Sequence, residues 1–366
     1  MKLDSSNLEL IEVRGIPIRV HWSFVLILGY VAYINYRAGN EFHEIIWSLI
    51  YVLAIFICVT LHELGHALAA LKYGIQTKSI TLYPIGGVAA LEKIPEKPLE
   101  ELWVALAGPL VNVIISSILW TWIYISPTVY SFEDIGIQIN SHNLIINLAA
   151  VNIIMVIFNL LPAFPMDGGR VFRSLLSLAI GRMKATYIAM LMGQIISVVF
   201  VIWGFMGNPF LIFIGIFIFF GAAQEYQMVK YGGIMTNLSV KSALMTQFTL
   251  VKTSDTLADV MNLILKTHEK EFIVINSNGD PIGIMTRELL IQNLANHHKD
   301  LLVKDCYRPT NISFFLDTPL YEAFKIMQTN SIPIVPVIHH HRMVGVITIE
   351  NIIEYLMMEE AIAKMN

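Results

Sequence analysis

Two histidines four residues apart, with a glutamate beside the first, stand at His62-Glu63-Leu64-Gly65-His66. On a helix, residues i and i+4 share one face. Both imidazoles can therefore reach one metal ion, and Glu63 is placed to take a proton from a water that the ion activates. Zinc suits imidazole and carboxylate ligands, and a catalytic zinc keeps one position open for water. Two histidines leave the set a ligand short. The stretch 159–170 contains Pro162, Pro165, Gly168 and Gly169, which break a helix, and Asp167 projects from it. Taken alone, such an aspartate caps the helix that follows. Beside an incomplete zinc site, the third-ligand reading is the better one. Cys58 lies one helical turn before His62, but another ligand would close the catalytic position, so it reads as a small buried hydrophobe.

These residues need elements to carry them, and the composition says where those elements sit. Hydrophobic residues make up 55% of the 366-residue chain and charged residues only 14%, against roughly a quarter charged in soluble domains. Six apolar runs have the character of membrane spans: 21–36, 45–71, 102–125, 144–161, 185–206 and 209–222. The metal motif lies inside the second. Ionisable residues within a span are costly and are functional by default, which weighs against a chance match. Broken backbone at membrane depth is tolerated only where it lines a cavity or is buried in protein, and this favours Asp167 as a site residue.

Lysines and arginines in the loops set orientation. Lys2, Arg14 and Arg19 precede the first span. Lys72, Lys78, Lys93 and Lys97 follow the second, and Arg170, Arg173, Arg182 and Lys184 follow the fourth. The remaining loops hold only Arg37 between them. Six spans with both termini in the cytosol satisfy this alternation. The metal motif then lies about two turns from the cytosolic end of its span. The first twenty residues contain acids and lack a long apolar stretch, so no cleavable signal peptide is expected. A net charge of −4 implies no nucleic-acid partner. Cys58 and Cys306 lie in different halves, so no disulfide framework is read from them.

His62–His66, Asn159–Arg170, Pro84-Ile85-Gly86-Gly87-Val88-Ala89 and Ala107-Gly108-Pro109-Leu110-Val111-Asn112 together resemble the site-2 protease family of intramembrane metalloproteases. The resemblance covers nearly the whole chain and is closest to the six-span type with a C-terminal CBS pair, an arrangement that looks prokaryotic. It implies one zinc ion held by His62, His66 and Asp167, with Glu63 as general base and then proton donor. It implies a substrate that is a transmembrane protein or peptide, cut within regulated intramembrane proteolysis, and an integral protein of the cell membrane in contact with lipid. Asn159 resembles the family's polar residue near the site; a helix-end hydrogen bond is an equally good role for it. Gly86, Gly87 and Asn112 join it as candidate substrate-binding residues. The segment 79–91 alternates loosely around Gly86-Gly87 and is predicted to form a hairpin whose free edge could take an extended substrate as an added strand. Two readings stand for Gln224 and Glu225: a helix end reaching toward water, or a part of substrate gating.

Residues 240–360 repeat with a period of about 62 residues. Val240-Lys241-Ser242 returns as Val303-Lys304-Asp305, and Ile282-Gly283-Ile284-Met285-Thr286 as Val344-Gly345-Val346-Ile347-Thr348. Each unit reads strand, helix, two strands, helix, and resembles a CBS domain. The expected division is a membrane domain over 1–225, a linker over 226–239, and tandem CBS domains over 240–366, at about 240–298 and 303–360. The fold class is thus a polytopic α-helical membrane protein of six spans with a cytosolic α/β tandem CBS module. CBS pairs imply adenine-nucleotide binding and homo-oligomers. Here Leu289 and Asn351 stand where the ribose-binding aspartate is usual, three residues after each threonine, so a dimerisation or substrate-recruiting module is an equal alternative. The runs His339-His340-His341 and His297-His298 read as an exposed turn and a solvated helix end.

Two other classes compete with the protease. A CBS-regulated metal transporter also places His and Asp in spans, but it does not require Glu63 at hydrolase spacing. A catalytically dead scaffold predicts loss of Glu63 or a ligand, and none is lost.

Overall fold

The computed structural model describes residues 3, 4, 7–84, 86–91, 95–127, 130, 131, 134–136, 138–236, 238–267, 269–296, 299–340 and 342–365. The chain divides into two compact units, Met1–Gln227 and Met228–Asn366.

In the first unit, strands β1 (Leu3–Asp4), β2 (Asn7–Val13) and β3 (Ile16–His21) lead into helix α1 (Phe24–Arg37) and the long helix α2 (Phe42–Leu71). α2 starts with a capping box: the Glu44 carboxylate accepts from the Glu41 backbone N–H at 2.9 Å. The helix then runs without a proline for 30 residues, about 45 Å at 1.5 Å per residue. The predicted hairpin over 79–91 forms as β4 (Thr77–Tyr83) and β5 (Gly86–Leu91). β4 pairs in parallel with β3, and β5 ends the five-stranded sheet in the order β1-β2-β3-β4-β5. Helices α3 (Pro98–Ile125), α4 (Leu144–Asn159), α5 (Asp167–Ile180), α6 (Arg182–Phe205) and α7 (Phe210–Met235) follow.

Among the described residues, four helices, α2, α3, α6 and α7, are long and apolar enough to cross a bilayer, and α1 and α4 are shorter apolar helices. The 14 residues of α1 and 16 of α4 extend only about 21–24 Å, against a hydrocarbon core of roughly 30 Å. The apolar run predicted from residue 21 begins later, because His21 belongs to β3. The segment read as a loop after the fourth span is instead the helix α5, with small residues and Arg173 on its buried side. Arg173 therefore does not belong with the loop charges. It is 0% exposed, donates from Nε to Glu101 Oε1 at 3.0 Å and pairs through Nη1 with Glu225 Oε1 at 2.9 Å. Its Nη2 also pairs with Glu101, and its guanidinium lies 4.8 Å from the Phe164 ring centre. Glu225, left between two readings by the sequence, is thus one arm of a buried ion cluster joining α3, α5 and α7.

The second unit contains the repeat. The first copy comprises β6 (Leu250–Lys252), α8 (Leu257–Thr267), β7 (Glu271–Ile275), β8 (Pro281–Thr286) and α9 (Arg287–Asn296). The short β9 (Arg308–Pro309) then pairs with β8. The second copy comprises β10 (Phe314–Phe315), α10 (Leu320–Thr329), β11 (Ile334–His339), β12 (Arg342–Thr348) and α11 (Ile349–Met365). In each copy the first strand pairs in parallel with the second, and the second pairs antiparallel with the third. Both repeat threonines cap the next helix: Thr286 Oγ1 accepts from Leu289 N at 3.2 Å and Thr348 Oγ1 from Asn351 N at 3.0 Å. The copies share one core, in which Ile273 and Ile284 pack with Val335, Val337 and Val346. Within the stretch read as a linker, 226–239, α7 continues to Met235, and Met235 is buried in that same core.

Candidate metal centre

α2 supplies His62 and His66 on one face, as their spacing requires, and both are buried. Asp167 opens α5 immediately after the broken stretch that ends α4. The fold brings these three together and leaves Cys58 out of the cluster. His62 Nε2 lies 3.2 Å from Asp167 Oδ2, His66 Nε2 lies 3.1 Å from the same oxygen, and the two Nε2 atoms are 3.1 Å apart. Ligand atoms bound tetrahedrally at zinc bond lengths of ~2.0–2.1 Å are separated by about 3.3 Å. The observed triangle has that size.

The imidazoles are also turned the right way. His66 donates from Nδ1 to the Val104 carbonyl of α3 at 2.7 Å, and His62 donates from Nδ1 to Asn112 Oδ1 at 2.5 Å. In the neutral imidazole each Nε2 then carries the lone pair, directed at a carboxylate oxygen. Three lone-pair atoms converging in a buried place repel one another unless a cation lies between them. The donor set and its spacing fit zinc.

α3 comes this close only because residue 108 is glycine. A Cβ there would stand 2.7 Å from His62 Nε2 and closer still to His66 Nε2. Glu63 is half-buried on α2 beside the ligands, and β5 packs directly on it. A Cβ on Gly87 would be 2.9 Å from Glu63 Cγ and 3.0 Å from Val59 Cγ1. The outer strand of the sheet and the acid beside the two histidines are thus in contact.

Asn112 is a correction. Read as a substrate contact, it is 0% exposed. Its oxygen is committed to His62, and its Nδ2 donates to Asn152 Oδ1 at 2.7 Å. Both ends of its side chain are held inside the protein, with no exposed surface left for a substrate. Asn159 ends α4, half-buried, and Gly86 opens β5 at φ 139°. Ile85 and Lys93 lie outside the described residues, as do His297, His298 and His341; His339 and His340 are exposed at the β11–β12 turn. Sequence reasoning missed Asn152, the Val104 carbonyl and the steric role of Gly108. Of these only Gly108 lay within a quoted motif; a backbone carbonyl carries no sequence signal, and Asn152 is one of three asparagines in the apolar run 144–161, with no motif to single it out.

The sequence matches the family described as Peptidase family M50 over residues 50–143 and 129–203, and CBS domain over 240–296 and 303–358. A zinc metalloprotease of Methanocaldococcus jannaschii is 34% identical over 322 residues, 88% of each chain. A solved site-2 protease from Methanocaldococcus jannaschii is 36% identical, covering 60% of this chain and 95% of that one, with a TM-score of 0.46. Stage IV sporulation protein FB of Bacillus subtilis is 30% identical over 135 residues, 37% of this chain and 43% of that protein. The chain belongs to peptidase family M50, the site-2 proteases, and carries tandem CBS domains. It is an enzyme, a metalloendopeptidase with a membrane-type domain.

Proposed function

We propose that this enzyme hydrolyses a peptide bond in or near a transmembrane segment of a membrane-protein substrate, with one zinc held by His62, His66 and Asp167. The observation that carries the reading is the meeting of Asp167 with two buried histidines, His62 and His66, on a helix apolar enough to cross a membrane, with Glu63 beside them. Zinc, when bound there, supplies a Lewis acid that makes water nucleophilic at neutral pH. Glu63 accepts the proton that the attacking water gives up and returns it to the departing amide nitrogen. Asn112 and the Val104 carbonyl keep the two imidazoles turned toward the ion.

A transmembrane helix hides its peptide bonds in hydrogen bonds, so the substrate must be extended before it is cut. β5, outermost in its sheet, offers backbone groups at Gly86 and Gly87 to such a segment, and Gly87 lies against Glu63. Asn159, whose side chain makes no hydrogen bond to a described residue, is the candidate to hold a substrate carbonyl. The two shorter apolar helices complete six spans in a lipid bilayer, and the loop charges put both termini in the cytosol. The CBS pair, which accompanies the membrane-type domain in one chain, is the candidate regulatory module. Adenine nucleotide is the candidate ligand of that pair, and self-association its alternative role.

The test uses purified protein with a single-span substrate, comparing wild type with Glu63→Gln at equal zinc content. Loss of the base is expected to slow cleavage ~10²–10⁴-fold. Retained cleavage removes Glu63 from its role. No cleavage by wild type, with zinc crossing liposomes, establishes a transporter instead.

A further inference from the structure

Three hydrogen bonds separate a backbone carbonyl of α4 from a metal ligand of α2, and they run through two side-chain amides. An amide can be turned either way, so its orientation is decided by neighbours that cannot. At one end of this chain stands the Leu148 carbonyl, which only accepts. The Asn152 end facing it, at 2.8 Å, must therefore be Nδ2. The same Nδ2 lies 3.4 Å from Cys58 Sγ. Asn152 Oδ1 is then turned to Asn112, which must present its own Nδ2, at 2.7 Å. That leaves Asn112 Oδ1 toward His62, whose Nδ1 must carry the proton. The Nε2 lone pair consequently falls where the metal ligands converge.

Both asparagines are 0% exposed, so no water can substitute for a missing partner. His66 is held differently: its Nδ1 donates straight to the Val104 carbonyl, which cannot turn. Only the His62 arm depends on amides. Reversing both would put the His62 proton on Nε2 and abolish it as a ligand.

We infer that Asn152 is a positioning residue for His62, acting through Asn112 to fix the imidazole tautomer that binds metal. The inference rests on the zinc reading of the site. Outer partners of metal-binding histidines typically change affinity 10–100-fold when removed, and Asn152 acts at one step beyond that partner.

The test is a double-mutant cycle on the full-length protein in detergent, reading zinc affinity by chelator competition. Asn152→Leu is expected to weaken zinc ~10-fold or more. In an Asn112→Asp background both ends of the residue accept, so either orientation keeps an acceptor on His62 Nδ1. There Asn152→Leu is expected to change affinity less than ~3-fold. Equal loss in both backgrounds marks a packing role and overturns the inference, as does unchanged affinity in the wild-type background. Asn152→Ala goes through the same cycle, so a leucine variant that fails to fold does not leave it empty. A wild type that binds no zinc refutes the metal reading itself, a result distinct from either.

Discussion

Gly108→Ala adds one methyl group to α3 and nothing else. Alanine is the better helix former by about 1 kcal/mol, so the helix itself gains. The new Cβ would lie 2.7 Å from His62 Nε2 and nearer still to His66 Nε2. Comfortable contact begins near 3.5 Å, so the overlap with His62 is roughly 0.8 Å. A point this close to both nitrogens also lies in the space a zinc ion must fill, since its bonds to them are ~2.0–2.1 Å. Either α3 retreats from α2 or the imidazoles swing away, and both outcomes open the ligand triangle. Overpacking of this kind costs about 1–3 kcal/mol, and competition with the ion puts the effect at the upper end. Zinc affinity is expected to fall ~150-fold, the equivalent of 3 kcal/mol. Chelator competition measures it, with thermal unfolding of the metal-free protein as the control for folding. Affinity within about threefold of wild type would refute the close-approach argument.

Arg173→Met leaves the Glu101 and Glu225 carboxylates without their buried partner, and a loss of about 3–5 kcal/mol in unfolding free energy is expected; a denaturant titration showing under 1 kcal/mol would contradict it. Stripping the metal with a chelator should lower the melting temperature as well as activity, because zinc at 100 times its Kd stabilises the folded state by about 2.7 kcal/mol; re-addition should restore both. In the second unit, burial, and after it the neighbouring Glu350 carboxylate, pushes Glu271 above the usual glutamate range. Its folded form holds a proton that the unfolded chain has released. That contribution to stability is complete below the unfolded value near ~4.3 and disappears as pH rises through the raised folded value. Glu271→Gln should flatten this slope, which hydrogen exchange of β7 across the pH range would record; an unchanged slope would assign it to another group.

Several parts of this enzyme were legible in its residues because local rules govern them. His62 and His66 share a face by helix periodicity alone. The prolines and glycines around Asp167 end one helix and free the next to begin there, as α4 and α5 do. The repeat of the second unit shows in matched motifs, down to two threonines whose hydroxyls cap equivalent helices. The hairpin at Gly86-Gly87 follows from alternation and a turn.

Other parts were decided only when helices distant in sequence came together. Asn112 stood among the candidate substrate residues through the motif it ends; its hydrogen bonds to His62 of α2 and Asn152 of α4 bury it instead. Arg173 looked like a loop charge because charge is counted in sequence, whereas its neutralising carboxylates arrive from α3 and α7. Gly108 carries no chemistry of its own, and its importance is the distance between two helices. Periodicity and turn chemistry act within a few residues and can be read along the chain. Tautomer, ion pairing and steric room are properties of surfaces facing one another, and only the tertiary structure sets those.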